Sequence, residues 1–197
     1  MLNNRTFFTR AYTKRSLFQL FMLCAFPIHA WALLMGFRDF SWVALRTNVW
    51  DALGLLSYSV TFALVETFGI FLILVLVGFL IPNSLGIEKR LALLGTAFLI
   101  VAIWSIAGQV YSGMRYPLPI WFLEFLGRTG HPLRLLWGIV FLLTTFSVAV
   151  PLLLIARQDK FKNTVVEFFD RISTISALYV FLDLVGIVII AIRNFHF

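Results

Sequence analysis

Charged residues and cysteine are scarce in this chain, and their scarcity limits what the chain can be. Only 13% of the 197 residues are charged, 61% are hydrophobic, and the mean hydropathy is +0.95. Soluble domains are about half apolar and about a quarter charged, so this composition excludes a soluble globule. The single cysteine, Cys24, excludes an intrachain disulfide, and no Cys/His cluster has the spacing of zinc ligands.

Catalytic motifs are also missing from the sequence. It contains no Gly-x-Ser-x-Gly elbow, no His-Glu-x-x-His pair, no Gly-x-Gly-x-x-Gly turn and no phosphate-binding Gly-x-x-x-x-Gly-Lys loop. We therefore predict no cofactor and no metal site, and an enzyme is only the third of three functional hypotheses below.

Long apolar blocks are what the chain does have. A membrane span needs about 20 predominantly apolar residues, because a helix rises 1.5 Å per residue and the hydrocarbon core is about 30 Å thick. Five blocks meet this requirement, and together they predict one all-α transmembrane bundle over residues 1–197. The predicted spans are residues 17–36, 52–81, 91–112, 135–156 and 172–192. The second block is about 45 Å long as a helix, which favours a tilted helix or one that projects into the headgroups, with a tight re-entrant pair as the alternative.

Basic residues near the span ends predict the orientation. With the N-terminus in the cytoplasm, ten basic residues lie on the inner side and six on the outer side. The inner ones are Arg5, Arg10, Lys14, Arg15, Lys89, Arg90, Arg157, Lys160, Lys162 and Arg171. The outer ones are Arg38, Arg46, Arg115, Arg128, Arg134 and Arg193. We interpret the net charge of +7 as this topology signal and predict no nucleic-acid partner. The host membrane would be a plasma or inner membrane.

The first block also resembles a secretory signal peptide, with basic residues before it and Ala30-Trp31-Ala32 as a small-x-small site. Because the apolar run continues to Phe37, we favour an uncleaved first span over a cleaved signal.

Two connections predict interfacial helices. After the helix-breaking stretch that ends at Pro119, residues 120–126 form a short apolar segment that suits the outer interface. Residues 157–171 mix basic, acidic and phenylalanine side chains and predict a cytoplasmic interfacial helix.

Polar residues inside the spans lie on stripes of small or hydroxyl side chains at helical spacing. The stripes contain His29 with Ala32, Glu66 with Ser59 and Gly69, Gln109 with Ala102 and Ser105, and Asp183 with Ser176 and Gly186. Such faces pack against neighbouring helices, so the sequence predicts one polar seam through His29, Glu66, Gln109 and Asp183. The seam could be a proton or ion pathway or a ligand cavity, or its carboxyls could be protonated interhelical hydrogen-bonding groups.

The predicted outer loop supplies a second candidate site. Glu124, Arg128, His131 and Arg134 could bind an anionic headgroup or a sugar phosphate, and a plain solvated loop is the alternative.

Three functions fit these features. The first is an accessory or structural subunit that packs with a partner membrane protein or with copies of itself. The second is a small transporter or proton-conducting protein that uses Glu66 and Asp183. The third is an enzyme on a lipid or lipid-linked sugar at the outer interface.

Overall fold

A computed structural model of the chain describes residues 12–113 and 118–195. These residues form an all-α fold with six α-helices, a short 3-10 helix at Asn83–Leu85 and no strand. The helices are α1 Lys14–Arg46, α2 Val49–Gly78, α3 Gly86–Gly113, α4 Ile120–Gly127, α5 Pro132–Arg157 and α6 Asp159–Asn194. All but α4 are long and apolar enough to cross a membrane, which confirms the predicted five-span bundle.

The long helices alternate in direction along the chain, and so they define two ends of the bundle. We name the end where α1, α3 and α6 begin the proximal end, and the other, which holds α4, the distal end. Three basic residues counted for the orientation, Arg5, Arg10 and Arg115, lie outside the described residues, as do residues 115–117 of the predicted break.

Helix α1 is longer than the predicted span. It begins at a capping box, in which Ser16 N donates to Thr13 Oγ1 and Thr13 N donates to Ser16 Oγ. It continues to Arg46, ten residues past the predicted end at Gly36, because residues 37–46 include no Pro or Gly that would break the helix. Asn48 then caps α2 by accepting from Asp51 N, so the α1–α2 hairpin has a short connection.

The predicted separate interfacial helix at residues 157–171 is wrong. Residues Asp159–Asn194 form one continuous helix of 36 residues, about 54 Å long. No Pro or Gly occurs before Gly186, so nothing interrupts the hydrogen-bond ladder where the charged turns give way to apolar ones. The predicted short apolar segment, in contrast, is a distinct helix, α4, and its Trp121 side chain is largely exposed.

Helix α1 is the hub of the bundle. It packs against α2, α6 and α3, whereas α2 and α3 make little contact with each other. The apolar core lies towards the proximal end and includes Leu20, Leu23, Leu94 and Phe169. Helix α5 joins from the side through α3, where Trp104 Nε1 donates to Ser147 Oγ. The bundle therefore has a tight half, formed by α1, α2 and α6, and a looser half that contains α3 and α5.

A buried arginine contacts two other segments of the chain at the proximal end. Arg90 is 1% exposed, donates to Ile81 O at 2.9 Å and lies 5.7 Å from the centre of the Tyr12 ring. The Tyr12 hydroxyl in turn donates to Val75 O. Burial raises the pKa of Tyr12, and the nearby positive charge of Arg90 offsets part of that rise.

Close approach of α3 and α6 depends on a glycine. A Cβ atom at Gly95 would lie 2.5 Å from Phe169 Cε2 and 3.0 Å from Leu23 Cδ1, both side chains of the apolar core. By contrast, a Cβ atom at Gly138 on α5 would contact nothing within 4 Å.

These two glycines should respond oppositely to the same change. We expect Gly95→Ala to lower stability by about 1–3 kcal/mol, because the added methyl overpacks the core. Gly138→Ala should be neutral or raise stability by up to about 1 kcal/mol through helix propensity. Thermal unfolding in detergent, followed by circular dichroism, measures both, and equal midpoints for the two variants would contradict the close packing at Gly95.

Candidate functional site

Two of the predicted polar residues meet in the middle of the bundle. His29 on α1 and Asp183 on α6 lie on parallel neighbouring helices, and His29 Nε2 is 3.0 Å from Asp183 Oδ1. The other ring nitrogen, Nδ1, is 2.9 Å from Ala25 O. Their side chains are 1% and 2% exposed, so the contact is sealed from its surroundings.

The neighbouring atoms fix one of the two ring hydrogens. A carbonyl oxygen only accepts, so Nδ1 carries hydrogen and donates to Ala25 O. Nε2 and Asp183 Oδ1 share a second hydrogen bond, and Asp183 Oδ2 has no hydrogen-bond partner among the described residues. Both ring nitrogens of this buried histidine are therefore satisfied inside the protein.

Small and aromatic side chains enclose this His29–Asp183 pair. The Tyr179 ring stacks on the His29 ring, with 5.4 Å between centroids and 12° between planes. One turn beyond Asp183, Gly186 brings α6 close to α2, where an added Cβ would lie 3.2 Å from Ser57 O. The stripe predicted on span five is thus the face by which α6 packs into the bundle.

The other two predicted residues line a groove. Because α2 and α3 diverge, they leave a cleft of about 700 Å³ with α1 as its floor. Glu66 and Gln109 lie on opposite walls, on α2 and α3. Small and aromatic side chains form most of the remaining surface, among them Trp31, Ala32, Ala63, Gly69, Phe98 and Ala102.

Glu66 is exposed in this groove and makes no hydrogen bond or ion pair with any residue that the structure describes. It lies about 12 residues, or about 18 Å along the helix, from the proximal end of α2 at Gly78. That depth is within the hydrocarbon region, where an ionisable side chain is costly.

The four residues therefore form two sites and not one seam. On α2 the interior face carries Ala63 and Thr67, both buried, and one residue of helix rotates a side chain by about 100°. Glu66 consequently points away from the packed His29–Asp183 pair and into the groove. The stripes containing Glu66 and Gln109 were predicted to pack inside the bundle, and in the structure both residues are exposed and line the groove.

The four outer-loop residues are all exposed at the distal end. Glu124, Arg128, His131 and Arg134 make no side-chain hydrogen bond or ion pair with one another within the described ranges. Residues 12–113 and 118–195 also hold no group of three His, Cys, Asp or Glu side chains that could bind a metal ion. The anion site at this loop stays a prediction.

One contact at the distal end could not be predicted from the sequence. Arg193, near the end of α6, donates to Asp51 Oδ1 at 2.8 Å and to Trp50 O at 2.6 Å, at the start of α2. The guanidinium fills the space above Gly54, where an added Cβ would lie 2.7 Å from it. No local pattern links residues so distant in sequence.

Substitutions at Asp183 test the contribution of its contact with His29. Asp183→Asn should keep near-wild-type stability, because the amide N–H can donate to His29 Nε2. Asp183→Leu should cost about 1–3 kcal/mol, because it leaves Nε2 buried without a partner. Thermal unfolding in detergent compares them, and an equal loss in both variants would contradict a stabilising hydrogen bond at Nε2.

No protein-family model matches the chain, and neither the curated proteins nor the solved structures include a significant match to it.

Proposed function

We propose that this multi-pass integral membrane protein is an accessory subunit whose groove receives a transmembrane helix of a partner protein. The observation that carries the proposal is Glu66, an ionisable side chain exposed at membrane depth with no partner among the described residues. A carboxyl facing lipid costs about 2.5–3.5 kcal/mol on insertion scales. A helix seated in the groove would remove Glu66 from lipid and offer it a hydrogen-bonding group.

The walls of the groove suit a helix. Ala32, Gly69 and Ala102 are small, and small side chains let transmembrane helices approach closely enough for extensive van der Waals contact. A Cβ at Gly69 would contact nothing within 4 Å, so this position is open to an incoming group.

Helix α5 adds a second surface available to a partner. All 26 of its residues lie within the described ranges, and Ile155 is the one that is buried. The looser half of the bundle thus leaves apolar faces that its own helices do not cover.

The two other hypotheses have less support. A transport route would use Glu66 and Asp183 together, but Asp183 is bound to His29 in a packed interior and Glu66 faces the groove. An enzyme at the outer interface would need Glu124, Arg128, His131 and Arg134 to act together, and these side chains make no polar contact with one another among the described residues.

Filling the groove tests the proposal. We expect Gly69→Leu to reduce the amount of partner protein that co-purifies with the tagged chain from its native membrane in mild detergent. The reason is that the leucine side chain would occupy the space in which the partner helix lies. Gly108→Leu is the matched control, since Gly108 also has open space around it and does not line the groove. Quantitative mass spectrometry of the purified complexes measures the recovery.

The absence of any stoichiometric companion in the wild-type preparation would overturn the proposal. The same companion retained equally by Gly69→Leu and Gly108→Leu would also overturn the assignment of the groove.

We also propose that the proximal end faces the cytoplasm, since eight of the thirteen Lys and Arg residues that the structure describes are at that end. A Lys160→Cys variant should then react with a membrane-impermeant maleimide only after permeabilisation. Leu45→Cys, at an 88% exposed distal position, should react in intact cells or spheroplasts. Native Cys24 is fully buried and should contribute little background. The reverse labelling pattern would contradict this orientation.

A further inference from the structure

The length of the groove indicates how much of a helix it could hold. The α2 wall, from Ser59 to Ile73, is about 21 Å long, which corresponds to about four turns of an α-helix lying along it.

The charge of the groove is one-sided. Its lining includes the carboxyl of Glu66 and no Lys, Arg or His side chain. Asp183, the other carboxyl at this depth, already contacts His29 Nε2 through Oδ1 inside the packed part of the bundle. Glu66 is therefore the acidic group of the transmembrane region that the described residues leave uncompensated.

We propose that the helix received by the groove carries a Lys or Arg side chain within its apolar segment, at the level of Glu66. This inference rests on the proposed function and specifies the chemistry of the partner. A basic residue in the middle of a lone transmembrane helix and an unpaired Glu66 each carry an insertion cost, and bringing them together reduces both. Such a pair would also fix the register of the two helices, because sliding by one turn would separate the charges by 5.4 Å.

The reach of a basic side chain fits this geometry. Packed helices lie 8–10 Å apart axis to axis, and the long flexible stems of Lys and Arg cross the remaining gap to a carboxyl on the groove wall. Aromatic walls at Phe62 and Phe98 would add contact with the cation or with its stem.

The first test identifies the occupant. A benzophenone amino acid in place of Phe98 puts a photoreactive group on the groove wall of the full-length chain. Irradiation of native membranes should cross-link one partner polypeptide, and sequencing the linked peptide should find a Lys or Arg in a transmembrane segment. A linked segment with no basic residue would overturn the inference.

The second test measures the pairing. Glu66→Gln should weaken recovery of the partner by about 30-fold or more, as expected when one member of a buried charge pair is removed. Val65→Gln is the matched control, because Val65 is adjacent, 62% exposed and outside the groove lining. Glu66→Lys should abolish recovery, and changing the partner's basic residue to Glu should restore it.

The outcomes separate the inference from the proposed function. Suppose that Glu66→Gln and Val65→Gln recover equal amounts of the partner, while Gly69→Leu still releases it. That result would overturn the charge pairing and would still support the groove as the binding site of the partner helix. Cross-linking only to lipid or to a small molecule would overturn both the pairing and the subunit proposal.

Discussion

The contact between His29 and Asp183 is the constraint on which the arrangement of the other helices depends. Polar groups inside a bilayer must be satisfied within the protein, so these two side chains fix which faces of α1 and α6 meet and at what height. With that face of α1 occupied, α2 packs beside it through Ala63 and closes the tight half of the bundle. Helix α3 packs on another side of α1, and the divergence of α2 and α3 opens the groove.

The two carboxyls at membrane depth thus have opposite environments. Asp183 receives a hydrogen-bonding partner, an aromatic neighbour and full burial. Glu66 is exposed in the groove and has no hydrogen-bonding or ion-pair partner among the residues that the structure describes. A carboxyl that served only to hold helices together would resemble Asp183. Glu66 is costly where it lies, and that cost is the physical reason to assign it to binding and not to folding.

Much of the fold could be predicted from the sequence, because the number of spans follows from the length of the apolar blocks. Periodicity also grouped Ser59, Glu66 and Gly69 on one face of α2, and that face lines the groove instead of packing inside the bundle. It could not say which stripes face each other, since the rotation of one helix relative to another depends on packing that is non-local in sequence. The single seam therefore became two sites. The partners of Arg90 and Arg193 could not be predicted from the sequence for the same reason.

The unbroken course of α6 has a mechanical consequence. Its charged first turns, which hold the exposed Lys160 and the Lys162 that pairs with Glu88 of α3, and its Asp183 turn belong to one stiff rod without a proline or glycine hinge between them. A displacement of the charged turns would therefore be transmitted along the helix to the contact between Asp183 and His29. Through α6, the surface of the bundle and its buried polar contact are mechanically continuous.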